Sequence, residues 1–243
     1  MDLDALVSQL RQLHGPSLVA AVLYGSAAGD DHIAGHSDQN VLVIVDSLDI
    51  SVLQALGQTA RAWQEAGNPP PLMLTRQEWM GSADVFPMEY ADILERHRVL
   101  AGTLPLDGIA VHPAHLRLQL EQEALGKLLR LRRATMTAAA DVTRQREVLR
   151  ASLSAMLVIF RSVLRLHGER PPQAAADVVS VMAARCGLAA QPFLTVLRLV
   201  RGETVPDGEI DGLLTVYLHG VEALTRYIDQ YPVSDGAPGR DPS

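Results

Sequence analysis

Leu23-Tyr24-Gly25-Ser26, a polar loop that runs to Ser37, and then Asp38-Gln39-Asn40-Val41-Leu42-Val43-Ile44-Val45 form the stretch whose reading decides the fold. The apolar run Leu18–Tyr24 reads as a buried strand, Gly25-Ser26 as a tight turn, and Asp38–Val45 as a second strand opened by polar residues. Side chains two apart on a strand share a face, so Asp38 and Asn40 project together while Gln39 and Val41 face the other way. Two oxygen-bearing side chains are thereby expected beside a glycine turn.

Outward from this stretch, Asp2 to Leu13 repeats apolar residues at helical spacing and stops at Gly15-Pro16. Downstream, Ile50 to Ala66 reads as a helix ended by Gly67-Asn-Pro-Pro-Pro71, and Leu72–Thr75 as a third strand. Phe86 to Ile93 and Gly108 to Val111 are further strand candidates. From Leu116 the pattern changes to long leucine-rich helical periods, with helices expected at 141–167, 174–185, 192–200 and 207–231. The composition shift predicts two domains, 1–112 and 113–232. A small, polar, proline-bearing segment follows at 233–243 and is expected to be a disordered tail.

Mg²⁺ takes oxygen ligands in octahedral geometry, and a nucleoside triphosphate supplies several of them, so strand-borne oxygen donors make a sensible metal platform. Gly25 lets the backbone approach a phosphate closely, and the Ser26 hydroxyl and nearby amides can donate to it.

Gly25-Ser26 followed by Asp38-x-Asn40 resembles the signature of the DNA polymerase beta-like nucleotidyltransferases, a superfamily that includes aminoglycoside adenylyltransferases and small bacterial MNT proteins. The resemblance implies an α+β domain with a mixed sheet and flanking helices, followed by an all-α helical bundle. It also implies Mg²⁺ as cofactor and transfer of a nucleoside monophosphate from a nucleoside triphosphate to the hydroxyl of a small-molecule or protein acceptor. Under it, Asp38, Asn40 and Glu89 are the metal ligands, Glu89 and Asp38 the catalytic residues, and Gly25 and Ser26 the nucleotide-binding pair. Glu89 is chosen because Phe86-Pro-Met-Glu-Tyr-Ala-Asp-Ile93 resembles the MNT segment that carries a third carboxylate on a strand. On that strand Asp92 would point away from the site.

The pattern is broken at Asn40, where the family has its second metal-binding acid. An amide oxygen ligates a cation without supplying charge, so attraction for a divalent ion falls. Three readings stay open: an active enzyme with an unusual ligand set, a nucleotide-binding pseudoenzyme, and a partner-binding module of the antitoxin-like MNT kind.

Other features carry less. Asp30, Asp31, His32 and His36 read as loop solvation, because no spacing there matches a ligand motif. Arg161 and His167 fit the spacing of HEPN ribonucleases, although a histidine in a last helical turn is also explained by the helix dipole. The cations between Arg117 and Arg150 read as a solvated face, or as a source of an arginine that reaches a triphosphate.

A net charge of −7 argues against a protein that coats nucleic acid. One cysteine, Cys186, permits no internal disulfide, which points to a reducing compartment. The acidic start Met1-Asp-Leu-Asp4 is unlike a secretory leader, and no apolar run approaches the roughly 20 residues that span a bilayer. A cytoplasmic location is the expectation.

Overall fold

The computed structural model describes residues 1–28 and 39–232. The chain divides into two compact units, Met1–Val111 and His112–Ser243.

The first unit holds a four-stranded mixed sheet in the order β3-β2-β1-β4. The strands are β1 (Leu18–Tyr24), β2 (Asn40–Val45), β3 (Leu72–Thr75) and β4 (His97–Gly102). Central β1 pairs antiparallel with both β2 and β4, and β3 runs parallel to β2. Both faces of β1 and β2 are covered, which explains why they read as continuous apolar runs. One face sends Ala21, Leu23, Val41 and Val43 against α1 (Leu3–His14) and Trp63 of α3 (Gly57–Glu65). The other sends Val22, Leu42 and Ile44 against Trp79 of α4 (Arg76–Gly81) and Tyr90 and Ile93 of α5 (Pro87–Glu95). Each fully buried aliphatic or aromatic side chain of this kind contributes roughly 1.5–3 kcal/mol. Trp79 and Tyr90 stack with ring centroids 4.4 Å apart, and the Tyr90 hydroxyl donates to the Trp79 carbonyl at 2.7 Å. The indole N–H of Trp79 donates to the Pro105 carbonyl, so both polar handles are satisfied inside the layer.

The structure corrects several expectations. Residues 86–93 are not a strand: Pro87 takes the first position of α5, where a missing N–H costs nothing. Helical spacing puts Pro87, Tyr90 and Ile93 on one buried side, whereas a strand would have mixed apolar and acidic residues on both faces. Residues 108–111 carry no strand, and the fourth strand is β4 at His97–Gly102. The helix expected over 50–66 is divided into α2 (Ile50–Ala55) and α3 by a break at Leu56. Helix α4 follows β3 directly through a capping box formed by Thr75 and Glu78.

Among the described residues the regular elements of the second unit are all α-helices, α6 (Pro113–Ala138), α7 (Val142–Leu166), α8 (Ala175–Cys186), α9 (Gln191–Val200) and α10 (Asp207–Asp229). Its core is an aromatic chain: Phe160 meets Phe193 edge-on at 5.1 Å, and Phe193 packs on Tyr217 at 5.1 Å. The Tyr217 hydroxyl accepts a hydrogen bond from Ser152 at 3.0 Å. The tail expected at 233–243 lies outside the described residues.

Candidate functional site

Register brings Asn40, Tyr24 and His97 into one row across β2, β1 and β4, at the end of the sheet where the chain turns through Gly25. Directly opposed residues of antiparallel strands share a face. That face is the one covered by α4 and α5. Gly25 adopts φ +78 and opens a short 3-10 turn, Gly25–Ala28. A Cβ placed on Gly25 would stand 3.4 Å from the Asn40 side-chain nitrogen and 3.7 Å from Asp92 Oδ2. The glycine thus keeps open a small space bounded by an amide, a carboxylate and its own backbone.

The carboxylates come from α5. Glu89 and Asp92 are three apart on a helix and share a side, so both act on Tyr24. Burial raises the Tyr24 phenol above its usual pKa, and the negative charges of Glu89 and then Asp92 raise it further. Tyr24 therefore stays a neutral hydrogen-bond donor next to two acids. Asp92 also accepts from Arg96 at 3.1 Å within the same helical turn, and that guanidinium is largely buried.

Asn40 and Gly25 are therefore neighbours in the folded chain. Asp38 lies outside the described residues, as do Asp30, Asp31, His32 and His36, and the Ser26 side chain is not described. The expectation that Asp92 points elsewhere is corrected, since helical geometry sets it against Gly25 and Asn40. Strand β3, parallel to β2, reads Leu72-Met-Leu-Thr75 and brings no acid. Tyr24 and Arg96 are additions that sequence reasoning missed. The spacing of residues 89, 92 and 96, with Pro87 as a helix starter, was the available signal.

The helical-unit candidates have structural partners. Arg117 donates to the Ile228 and Asp229 carbonyls, Arg132 to Glu222, and Arg146 to the Val205 carbonyl, so these cations tie helices together. His167 shares a 2.7 Å hydrogen bond with the Tyr227 hydroxyl and lies edge-on to Tyr231. Burial lowers its pKa, and Arg161 donates to the Gln173 carbonyl. Among the described residues, no helix is long and apolar enough to cross a membrane.

No known protein-family profile matches the sequence, and no curated protein matches it. Among solved structures the chain is similar to the spectinomycin adenyltransferase AAD(9) of Enterococcus faecialis, solved with ATP and spectinomycin. The match has a TM-score of 0.58 at 13% sequence identity and covers 93% of this chain and 98% of that one. That enzyme is an aminoglycoside nucleotidyltransferase of the DNA polymerase beta-like superfamily. A four-stranded mixed sheet with flanking helices, continued by a helical C-terminal region, gives this chain the nucleotidyltransferase fold.

Proposed function

We propose that the protein binds a nucleoside triphosphate at the Gly25 turn and transfers its nucleoside monophosphate to an acceptor hydroxyl. The observation that carries this reading is the space at Gly25, where Asn40 and Asp92 both reach contact distance of the place a side chain would take on a backbone that has none. A phosphate can approach such a backbone closely and accept from its amides.

Among the described residues no three histidine, cysteine, aspartate or glutamate side chains form a metal cluster. Asp92 brings a carboxylate oxygen to the turn, and the Asn40 amide, whose nitrogen is the atom nearest Gly25, also carries an oxygen; with Asp38 two residues upstream, these side chains are of the chemical kind that a hard divalent cation takes. Those three residues would hold Mg²⁺, which neutralises phosphate charge when bound. In the transfer, the acceptor oxygen forms a bond to the α-phosphorus, and its proton passes to the Glu89 carboxylate. The bond from that phosphorus to the bridging oxygen breaks, and pyrophosphate leaves with the electron pair. Tyr24, whose pKa burial and the charges of Glu89 and Asp92 raise, keeps its phenol proton and can offer it as a donor in this acidic pocket. ATP is the nucleotide of the structural neighbour, and spectinomycin, present with it, is the first acceptor to assay.

Calorimetric titration with ATP and Mg²⁺ tests the reading. Micromolar to submillimolar binding is expected, weakened at least tenfold in Asp92→Asn. Glu89→Gln should keep ATP binding and lose pyrophosphate release. No heat at millimolar nucleotide would overturn the proposal.

A second reading, a nucleotide-binding pseudoenzyme or partner-binding module, is favoured by two observations: the uncharged Asn40 and the absence of an acid on β3. Asn40→Asp separates the readings. Gain of metal-dependent transfer in a previously inactive protein supports an intact pocket that lacks one charge. An active parent discards the pseudoenzyme.

A further inference from the structure

Helix α6 presents a second apolar stripe, distinct from the one it buries. Leu116, Leu120, Ala124, Leu128 and Leu131 face the core of the helical unit. Leu118, Leu125, Leu129 and Met136 are exposed, the end members at 63% and 72%. Successive members are seven, four and seven residues apart, which lines them up along one side of a straight α-helix over about 27 Å.

The stripe is arranged symmetrically about residue 127. Inverting the helix end for end brings Leu118 over Met136 and Leu125 over Leu129. It also sets Glu121 and Gln122 at the level of Arg132 and Arg133. Two copies laid antiparallel therefore place apolar residues on apolar residues and bring Glu121 of one copy level with Arg132 of the other, beside the pairs these two make within the chain with Arg117 and Glu222. Two parallel copies would stack the arginines on each other. Antiparallel helix dipoles add to the same preference. Gly126, next to the centre of this arrangement, is unfavourable inside a helix of this length. Among the described residues no atom lies within 4 Å of where its Cβ would be, so packing within the chain does not account for it. At about 100° per residue it stands roughly 80° round the helix from the stripe, so it leaves the flank of the contact open, while Leu125 and Leu129 set how closely the two helices approach.

We infer that the α6 stripe is the contact surface of a homodimer in which the α6 helices of two copies pack antiparallel about a two-fold axis near residue 127. The contact is isologous, so it closes at two copies and leaves no surface for a filament. It does not depend on nucleotide binding.

Sedimentation velocity on the full chain at tens of micromolar is expected to give twice the 26.3 kDa chain mass. The double variant Leu125→Glu/Leu129→Glu should sediment as a monomer at the same concentration with an unchanged circular dichroism spectrum, because both side chains are exposed within the chain. Cysteine cross-linking sets the orientation. With the native Cys186 replaced by serine in every chain, Leu118→Cys alone should give no covalent dimer, since its two copies lie about 27 Å apart along the axis. A mixture of Leu118→Cys and Met136→Cys chains should give one. A wild-type chain that is monomeric at these concentrations overturns the inference, as does a dimer that survives the double variant or a Leu118→Cys chain that links to itself. A monomer whose α6 stripe resists hydrogen exchange and labelling would assign the face to another segment of the same chain and equally overturns it.

Discussion

Gly25 sits at φ +78 with Asn40 and Asp92 at contact distance of where a side chain would stand, so both its backbone geometry and its missing side chain matter. A β-branched side chain in the left-handed region costs about 1–2 kcal/mol, and its Cβ would fill the space assigned to phosphate. Gly25→Val is therefore expected to lower stability by about that amount in urea denaturation. It should also abolish ATP binding by calorimetry, whereas a Gly15→Val control, at a turn with open space around it, should lose stability alone. The tyrosines give a second expectation at this scale. Burial pushes the phenols of Tyr90 and Tyr217 up to about 12. A folded-state pKa above the unfolded value near 10 means that the contribution is fully present below pH 10 and is lost as pH rises through about 12. Stability measured between pH 7 and pH 9 should therefore be independent of these two groups. Ultraviolet titration should show part of the tyrosinate absorbance delayed to about pH 12, and the delayed fraction should shrink in Tyr90→Phe.

Strand β4 ends at Gly102, with φ +70, and a Cβ there would fall 2.0 Å from the Val19 carbonyl oxygen. That oxygen accepts from Thr103 N–H at 2.9 Å, so β1 and β4 close against each other over a bare backbone. Gly102→Ala must either part the strands or twist the chain, and a loss of about 2–4 kcal/mol is expected in urea denaturation. Gly220 of α10 makes the matching argument for the bundle. Alanine would gain about 1 kcal/mol of helix propensity, yet its Cβ would meet the Phe193 ring at 2.8 Å. Overpacking the Phe160, Phe193 and Tyr217 chain should outweigh that gain and lower the midpoint of thermal unfolding. Helix α5 shows how an element decides a site. As a strand, residues 86–93 would have split Glu89 from Asp92, and as a helix they place both acids beside Tyr24.

Each of the two units has its own core. In the first, sheet residues meet Trp63 on one side and Trp79 with Tyr90 on the other. In the second, Phe160, Phe193 and Tyr217 join α7, α9 and α10. A unit of more than about 100 residues with such a core buries enough surface to fold alone. A fragment of residues 112–243 is expected to show a helical circular dichroism spectrum and one cooperative thermal transition. A gradual melt would show that its core is incomplete without the first unit.

Local pattern determined a good part of the molecule. Continuous apolar runs marked β1, β2 and β3, because strands buried on both faces need no polar alternation, and leucine periods marked the helices of the second unit. Gly25 and Asn40 could be paired from sequence because two adjacent antiparallel strands bring the residues at their connected ends together. What local pattern could not supply was the third side of that space. A proline-started segment with acids at 89 and 92 can be written as strand or helix, and its choice follows from the apolar side that Tyr90 and Ile93 bury against β1 and β2. Short β4 was hidden for a related reason: its residues are mostly exposed or half-buried, and only pairing along β1 makes them a strand. The nearness of Asp92 to Gly25 is a contact between residues 67 apart in sequence, made by docking a helix on a sheet, and such a contact exists only once the tertiary structure has formed.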